Sequence, residues 1–432
     1  MGLRALPKNL RVERQLSVTL KTSIEGVTSG GIADTFKTKQ PSQIPLNTMV
    51  PSRLNGNEPG SMPPAITSSA NGNRVFRVLL LHGGQVPHYR IPVYNHLSRY
   101  LRERSFELTV TSDGIQSGNR MAVEFPFVPM RLTARSIARL VWGGKFDVVI
   151  MFVDMRHLYL FPVYLAVKGI MRRKMVWWGQ GRDLAEPNAA LKNAAYATEH
   201  ALCDAIILYA GHLKKYVARR FQYKTFTANN TLALTYAGLA PGNKGKVLEA
   251  FNIHTSKNII CMGRFQKRKR VDQLVAALRL MDRPDIGLIL VGPDSEGVLE
   301  NVNGPNIYKL GPIYDDRRFE LLSAADVYCL PGAVGLSIVD AFHCGLPFVT
   351  EEGDESAEIA YLRHGENGFV VPRGDVSALA KSLLRLLDNE ELRMRFSDAA
   401  RQEVKDNASI ERLCEGFVLA LRCATSTHLT EQ

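Results

Sequence analysis

The chain has 432 residues, 45% of them apolar, which is more than one ordinary hydrophobic core holds and argues for two domains. Its net charge of +12 is uneven: residues 1–72 carry 8 Lys and Arg against 4 Asp and Glu, residues 73–245 carry 24 against 10, and residues 246–432 carry 22 against 28. The six cysteines form no Cys-x-x-Cys pair, so neither a disulfide framework nor a zinc site is expected, only buried reduced thiols.

From the N-terminus, charges interrupt MGLRALPKNLRVERQLSVTLKTSI before any apolar run reaches signal length, and export is not expected. The run Leu158–Met171 contains Pro162 and Lys168 and suits a core or interfacial helix, so no membrane span is expected. Residues 40–73 concentrate Pro, Ser, Asn and Gly, and residues 1–72 read as a disordered tail and linker. Order is expected from RVFRVLLLHGG, a buried parallel strand entering a glycine turn, followed by a helix over IPVYNHLSRYLRER. Strand-then-helix recurs at FELTVTSDG, KFDVVIMFVD, KMVWWGQG and CDAIILYA. The pattern restarts at NIICMGR, with strands at GLILVGP, NIYKLG, VYCLPG and LPFVT, and helices over Arg270–Met281, FELLSAAD and Val339–His343. Helical spacing then continues from Val376 to Cys423. The expected fold class is α/β: two Rossmann-like parallel-sheet domains, 73–245 and 246–432, facing across a cleft and joined near residues 232–257.

In such folds ligands bind at the carboxyl ends of the strands, where helix N-termini favour anions. The second domain opens IICMGRFQKRKRVDQL, which places Arg264 directly after strand-end Gly263 and Lys269 at the start of a helix. An Arg fork and a Lys point charge suit a diphosphate and stabilise it more as bond cleavage develops charge. Lys267, Arg268 and Arg270 read as surface cations. Further on, PGAVGLSIVDAFHCG presents the Gly335 and Leu336 backbone at a helix start, with Asp340 one turn in and Gly345 ending the helix. A carboxylate there suits paired hydroxyls such as those of a ribose, or it simply complements the helix dipole.

These stretches resemble glycosyltransferase family 4, which has the GT-B architecture. The resemblance runs from about Arg77 to Val404, on VLLLHGGQVPHYRIPVYNHL, MGRFQKRKRVDQLVAAL, LILVGP, LSAADVYCLPGAVGLSIVDAFHCGLPFVT and HGENGFVVPRGDVSALAKSLLRLL. It implies that Arg264 and Lys269 bind the donor diphosphate and that Asp340 stands for the second Glu of a Glu, seven residues, Glu pattern, meeting the ribose. The first Glu falls on Gly332, which has no side chain; a Pro-Gly-x-Val-Gly-Leu form that includes Val334 occurs within the family, so the change reads as a subtype. Gln180 stands where relatives often carry a His beside the sugar; it hydrogen-bonds but does not act as a base. The family is usually described as letting the departing phosphate assist the acceptor on the same face.

Gly83 and Gly84 match the family's first-domain glycine loop, or are plain turn glycines. Glu358 in SAEI matches a Glu after the last donor-side strand, or is a surface acid. His88, Tyr89 and Arg90 face substrate or cap a helix, and Arg182 and Asp183 are further acceptor candidates. No Asp-x-Asp occurs, so no metal and no cofactor is expected beyond a nucleotide-diphosphate sugar as co-substrate. The resemblance thus implies a hexosyltransferase of polysaccharide biosynthesis, retaining configuration, with a glycan or lipid-linked acceptor. A cytoplasmic location is expected, peripheral on an anionic membrane through the basic first domain. Nucleic acid is not an expected partner, because the basic domain lacks an interleaved aromatic platform. The competing readings are a GT-B nucleotide-sugar epimerase or hydrolase, and an inactive sugar-nucleotide-binding scaffold.

Overall fold

The computed structural model describes residues 74–426 apart from 118–120, 153–160, 185–188, 235–242 and 354–355. The tail expected over 1–72 and part of the join near 232–257 lie outside the described residues.

The first domain is built on β1 (Phe76–His82), α1 (Arg90–Arg102), β2 (Phe106–Ser112), β3 (Phe127–Pro129), α2 (Ala134–Gly144), β4 (Val148–Phe152), α3 (Phe161–Leu165), β5 (Lys174–Gly179), α4 (Ala190–Leu202), β6 (Ala205–Leu208) and β7 (Thr225–Thr227). Its strands pair in the order β3-β2-β1-β4-β5-β6-β7, and every pairing is parallel. Val78 to Leu81 of β1 are fully buried, as a continuous apolar strand covered on both faces requires. Helix α2 starts with a reciprocal cap, in which the Thr133 hydroxyl accepts from the Ser136 N–H and the Ser136 hydroxyl accepts from the Thr133 N–H.

The second domain contains α5 (Lys244–Ala250), β8 (Lys257–Met262), α6 (Val271–Met281), β9 (Ile286–Val291), β10 (Ile307–Gly311), α7 (Arg317–Ala324), β11 (Val327–Cys329), α8 (Ser337–His343), β12 (Phe348–Glu351), β13 (Gly368–Val371), α9 (Val376–Asp388) and α10 (Glu390–Asn407). Its sheet order is β10-β9-β8-β11-β12-β13, again parallel. The strand order reverses beside β1 in one sheet and beside β8 in the other, so both switch points lie at the carboxyl ends of these strands. The two doubly wound sheets expected from the sequence are therefore present. Strands β3, β7 and β13 were not expected.

One expectation about the domains is corrected. The last helix, α11 (Ile410–Ser426), does not stay with residues 246–432. Its Leu413, Phe417, Ala420 and Leu421 are fully buried in the first domain's core, where Phe417 meets Trp178 edge-on at 4.8 Å. The chain thus crosses between domains twice, and the two crossings are bonded together: Asn229 Nδ2 donates to the Asn407 carbonyl at 2.8 Å, and the Thr231 hydroxyl donates to that of Ala408.

Five of the cysteines are buried and Cys423 is half-buried, all as free thiols. Among the described residues no helix is long and apolar enough to cross a membrane.

Candidate active site

Strand β8 ends at Gly263, whose φ of 138° favours glycine, and the chain turns there toward the first domain. Arg264 follows, exposed on the wall of an interdomain cleft of about 530 Å³. A single 3₁₀ turn, Lys267–Lys269, leads to α6, with Arg270 left-handed at φ 53°. Lys269 also lines the cleft, and its Nζ donates to the carbonyl of Ala333.

That contact is one of three between the cationic turn and the loop after β11. The Gly332 N–H donates to the Lys269 carbonyl at 2.9 Å, and the Ala333 N–H to that of Arg268 at 3.0 Å. Gly332 is buried between them, and a Cβ there would lie 2.1 Å from the Arg268 oxygen. Gly332 is therefore not a lining residue, as the donor-site expectation had it. Its lack of a side chain lets two loops close on each other and fixes the Lys269 backbone. Val334, also expected at the ligand, is 3% exposed and packs into the second core. Gly335 and Leu336 do line the cleft, in front of α8.

Asp340 lies one turn into α8 and reaches the same cleft. The residue is half-buried, but its Oδ1 is fully buried and has no hydrogen-bond partner among the described residues. Burial raises its pKa to about 6, against the opposing pull of the Arg318 guanidinium. A buried carboxylate oxygen left without a donor is poised for a ligand hydroxyl.

The facing wall belongs to the first domain. After β1 the Gly83 N–H donates to the Phe152 carbonyl at 2.8 Å, and Gly84 turns with φ 74°. These glycines stand behind the cleft and bring Pro87 to Arg90 into it. His88 meets Tyr314 of the second domain edge-on, ring centroids 5.4 Å apart. Burial holds its pKa below the usual histidine value; a Gln116 hydrogen bond opposes this and the Arg318 charge adds to it. His88 is then mainly neutral at pH 7.

Arg90 is 4% exposed, with its guanidinium 5.3 Å from the ring centre of Trp178. Its Nη2 donates to Asn230 Oδ1 at 2.7 Å. The Asn230 Nδ2 in turn donates to Glu358, and the Tyr361 hydroxyl donates to the Asn230 carbonyl at 2.8 Å. Glu358 is thus a buried cleft carboxylate rather than a surface acid.

Gln180 lines the cleft at the end of β5, but Arg182 and Asp183 do not. Gly181, at φ 83°, turns the chain away, so both residues lie outside this cleft: Arg182 stacks over Tyr216 at 4.1 Å and Asp183 pairs with Lys192 at 2.9 Å. Sequence reasoning missed the cleft residues Asn230, Tyr314 and Arg318. Arg318 sits in a cation pair at the start of α7 that reads as solvated, and Asn230 belongs to no motif. Arg268, expected at the surface, is exposed and lines the cleft, whereas Arg270 is half-buried and pairs with Glu351 at 3.0 Å. In the Asp294-Ser295-Glu296 loop, Asp294 accepts the Val298 and Leu299 N–H groups and Glu296 accepts that of Lys267.

Among the described lining residues, Arg90, Arg264, Arg268, Lys269 and Arg318 outnumber the carboxylates of Asp340 and Glu358. The walls therefore favour an anion in the middle and hydroxyls beside the carboxylates.

Comparison with known proteins agrees with this geometry. Residues 246–403 match the model of the glycosyl transferases group 1 family. A phosphatidyl-myo-inositol mannosyltransferase of Mycobacterium leprae is 32% identical over 161 residues, 34% of this chain and 42% of that protein. An N-acetyl-alpha-D-glucosaminyl L-malate synthase of Bacillus anthracis is 28% identical over 173 residues, 38% of this chain and 44% of that protein. The chain thus matches less than half the length of either curated relative. The crystal structure of Anabaena Alr3699/HepE in complex with UDP-glucose superposes with a TM-score of 0.65 at 16% identity, covering 80% of this chain and 99% of that one. With two Rossmann-like domains facing across one cleft, the chain has the GT-B fold, and most of its second domain matches the glycosyl transferases group 1 family.

Proposed function

We propose that the protein is a nucleotide-sugar-dependent glycosyltransferase that moves a hexose-type sugar to a glycan or lipid-linked acceptor with retention and without a metal ion. The observation that carries this reading is the placement of Arg264, Lys269 and the unpartnered Asp340 Oδ1 on one wall of the cleft. Arg264 and Lys269 hold the donor diphosphate and neutralise it as it departs, and Asp340 accepts the ribose hydroxyls. Gln180 and neutral His88, on the opposite wall, orient hydroxyls of the transferred sugar or the acceptor. No side chain is assigned as base; the departing phosphate takes the acceptor proton on the same face. The lipid-linked option is supported by the name of the mycobacterial relative.

A peripheral membrane location on the cytoplasmic face belongs to the same reading. Arg135, Arg139 and Trp142 lie on one exposed stripe of α2, and Leu165 and Ile170 are exposed on the adjoining α3 and the π-helical turn after it. Cations beside an exposed indole suit an anionic lipid surface.

The testing experiment is calorimetry of the protein in EDTA against UDP, GDP, ADP and CDP, repeated on Arg264→Ala. Selective binding of one diphosphate, at least tenfold weaker in the variant, is expected. Absence of binding by all four would refute the donor site. Hydrolysis of the matching nucleotide sugar without acceptor would favour the hydrolase alternative.

A further inference from the structure

The first-domain wall of the cleft holds a cation that the chemistry proposed above does not use. Arg90, the first residue of α1, is 4% exposed yet lines the cleft. Among the described residues its guanidinium makes one hydrogen bond, from Nη2 to Asn230 Oδ1 at 2.7 Å, while Nη1 is buried with no partner. Rings surround the group: its central carbon lies 5.3 Å from the ring centre of Trp178, 5.8 Å from that of Phe152 and 5.9 Å from that of Tyr209. A guanidinium packed in this way has little freedom left to lose, so an oxygen that reaches Nη1 gains a charge-assisted bond at low entropic cost.

The charge around Arg90 decides what that oxygen belongs to. Glu358 accepts from the Nδ2 of the same Asn230 whose Oδ1 Arg90 holds, so one cation and one carboxylate already share an amide at this end of the cleft. The other lining cations among the described residues, Arg264, Arg268, Lys269 and Arg318, come from the second domain and outnumber its remaining carboxylate, Asp340. An anion is therefore drawn to the second-domain wall, and the group that suits Arg90 is uncharged and rich in lone pairs. Phe152 and Tyr209 line the cleft as well as flanking Arg90, and they offer ring surface beside the free N–H groups. Apolar ring beside a hydrogen-bond donor matches a pyranose, which presents C–H faces and oxygens at its edge.

We propose that Arg90 is a specificity-determining residue for the transferred sugar, its Nη1 donating to an oxygen of an uncharged hexose that packs against Phe152 and Tyr209. This rests on the glycosyltransferase reading, in which the second-domain wall holds the diphosphate and the attached sugar projects toward the first domain. A sugar with no oxygen at that place leaves a buried N–H group unpaired. A sugar with a carboxylate there meets the Glu358 charge across Asn230.

The test is calorimetry of the full chain with UDP, GDP, ADP and CDP, then with the glucose, galactose and mannose conjugates of whichever diphosphate binds and with their uronates. The parent protein is compared with Arg90→Gln and with Arg90→Lys, which keeps a cation for Asn230 but loses the second arm of the fork. In the parent one hexose should tighten binding at least tenfold over the bare diphosphate. Both variants should lose that gain and bind the bare diphosphate within twofold of the parent. No gain from any hexose in the parent, a gain kept in the variants, or equal losses with and without the sugar would overturn the assignment. Should neither variant fold, the parent alone decides: the uronate of the favoured hexose should bind at least tenfold more weakly than the hexose, and equal or tighter binding would overturn the neutral-sugar site. Failure of the donor reading would look different, as a parent protein that binds none of the four diphosphates, and it would take this assignment with it.

Discussion

Asn230, at the exit of the first sheet, donates through Nδ2 to the Glu358 carboxylate of the second domain while its Oδ1 accepts from Arg90 Nη2 at 2.7 Å. All three side chains are buried. One amide therefore bridges a buried cation of the first domain and a buried carboxylate of the second. Asn230→Ala removes both bonds and is expected to cost about 1–3 kcal/mol. Denaturant titration should show the loss, and nucleotide-sugar turnover should fall further than stability accounts for, because Glu358 then moves within the cleft. Turnover that tracks stability alone would remove Glu358 from the site.

Asp340 makes stability and binding move in opposite directions. Its pKa is raised from 3.8 to about 6 by burial, so the folded state penalises the carboxylate. The stability difference is absent well below pH 4, where both folded and unfolded forms are protonated, builds as pH rises from about 4 to about 6, and is complete above that. Asp340→Asn should therefore stabilise the protein at pH 8 by up to about 3 kcal/mol, less where solvent reaches the residue. The gain should shrink as pH falls toward 4 and vanish below about pH 3. The same variant should weaken diphosphate-nucleoside binding at pH 8, and in the parent protein binding should weaken below pH 6. Melting curves and calorimetry at both pH values check the pair.

Gly332→Ala tests whether the missing acid is a vacancy or a requirement. The new methyl would meet the Arg268 carbonyl and the Lys269 main chain, neither of which is a flexible side-chain end. A cost of about 1–3 kcal/mol is expected, with loss of diphosphate affinity as the cationic turn is pushed off its loop. Gly332→Glu should fare worse rather than restore a sugar contact. Improved turnover in the Glu variant would overturn this account.

The stripe on α2 makes the membrane reading testable on the full chain. Replacing Trp142 with Ser and Arg135 and Arg139 with Gln should abolish sedimentation with vesicles containing anionic lipid at low salt and leave nucleotide binding unchanged. Equal sedimentation of the triple variant would assign the surface elsewhere.

Much of this architecture is legible in the residues themselves. Apolar runs such as VLLL and LILV admit few alternatives to buried parallel strands, and Arg264, Lys269 and Asp340 follow strand ends where the fold collects ligands. The three- and four-residue strands β3, β7 and β13 are too short to show a period. That Arg182 and Asp183 lie outside the cleft while Gln180 lines it is not legible from their adjacency in sequence, because the left-handed Gly181 separates them. Asn230 is illegible for a plainer reason: its partners lie 140 and 128 residues away. Helix α11 shows an apolar face in its pattern, but a face does not name the core it enters.

That last helix bears on how the protein is made. During synthesis the strands of the first domain emerge early, yet the surface of β5 and β6 that α11 covers stays open until that helix has been made. The second domain, although translated later, has all the apolar partners it needs by Ala408. The domain begun first is thus completed after the one begun second, and until then it exposes an apolar sheet face.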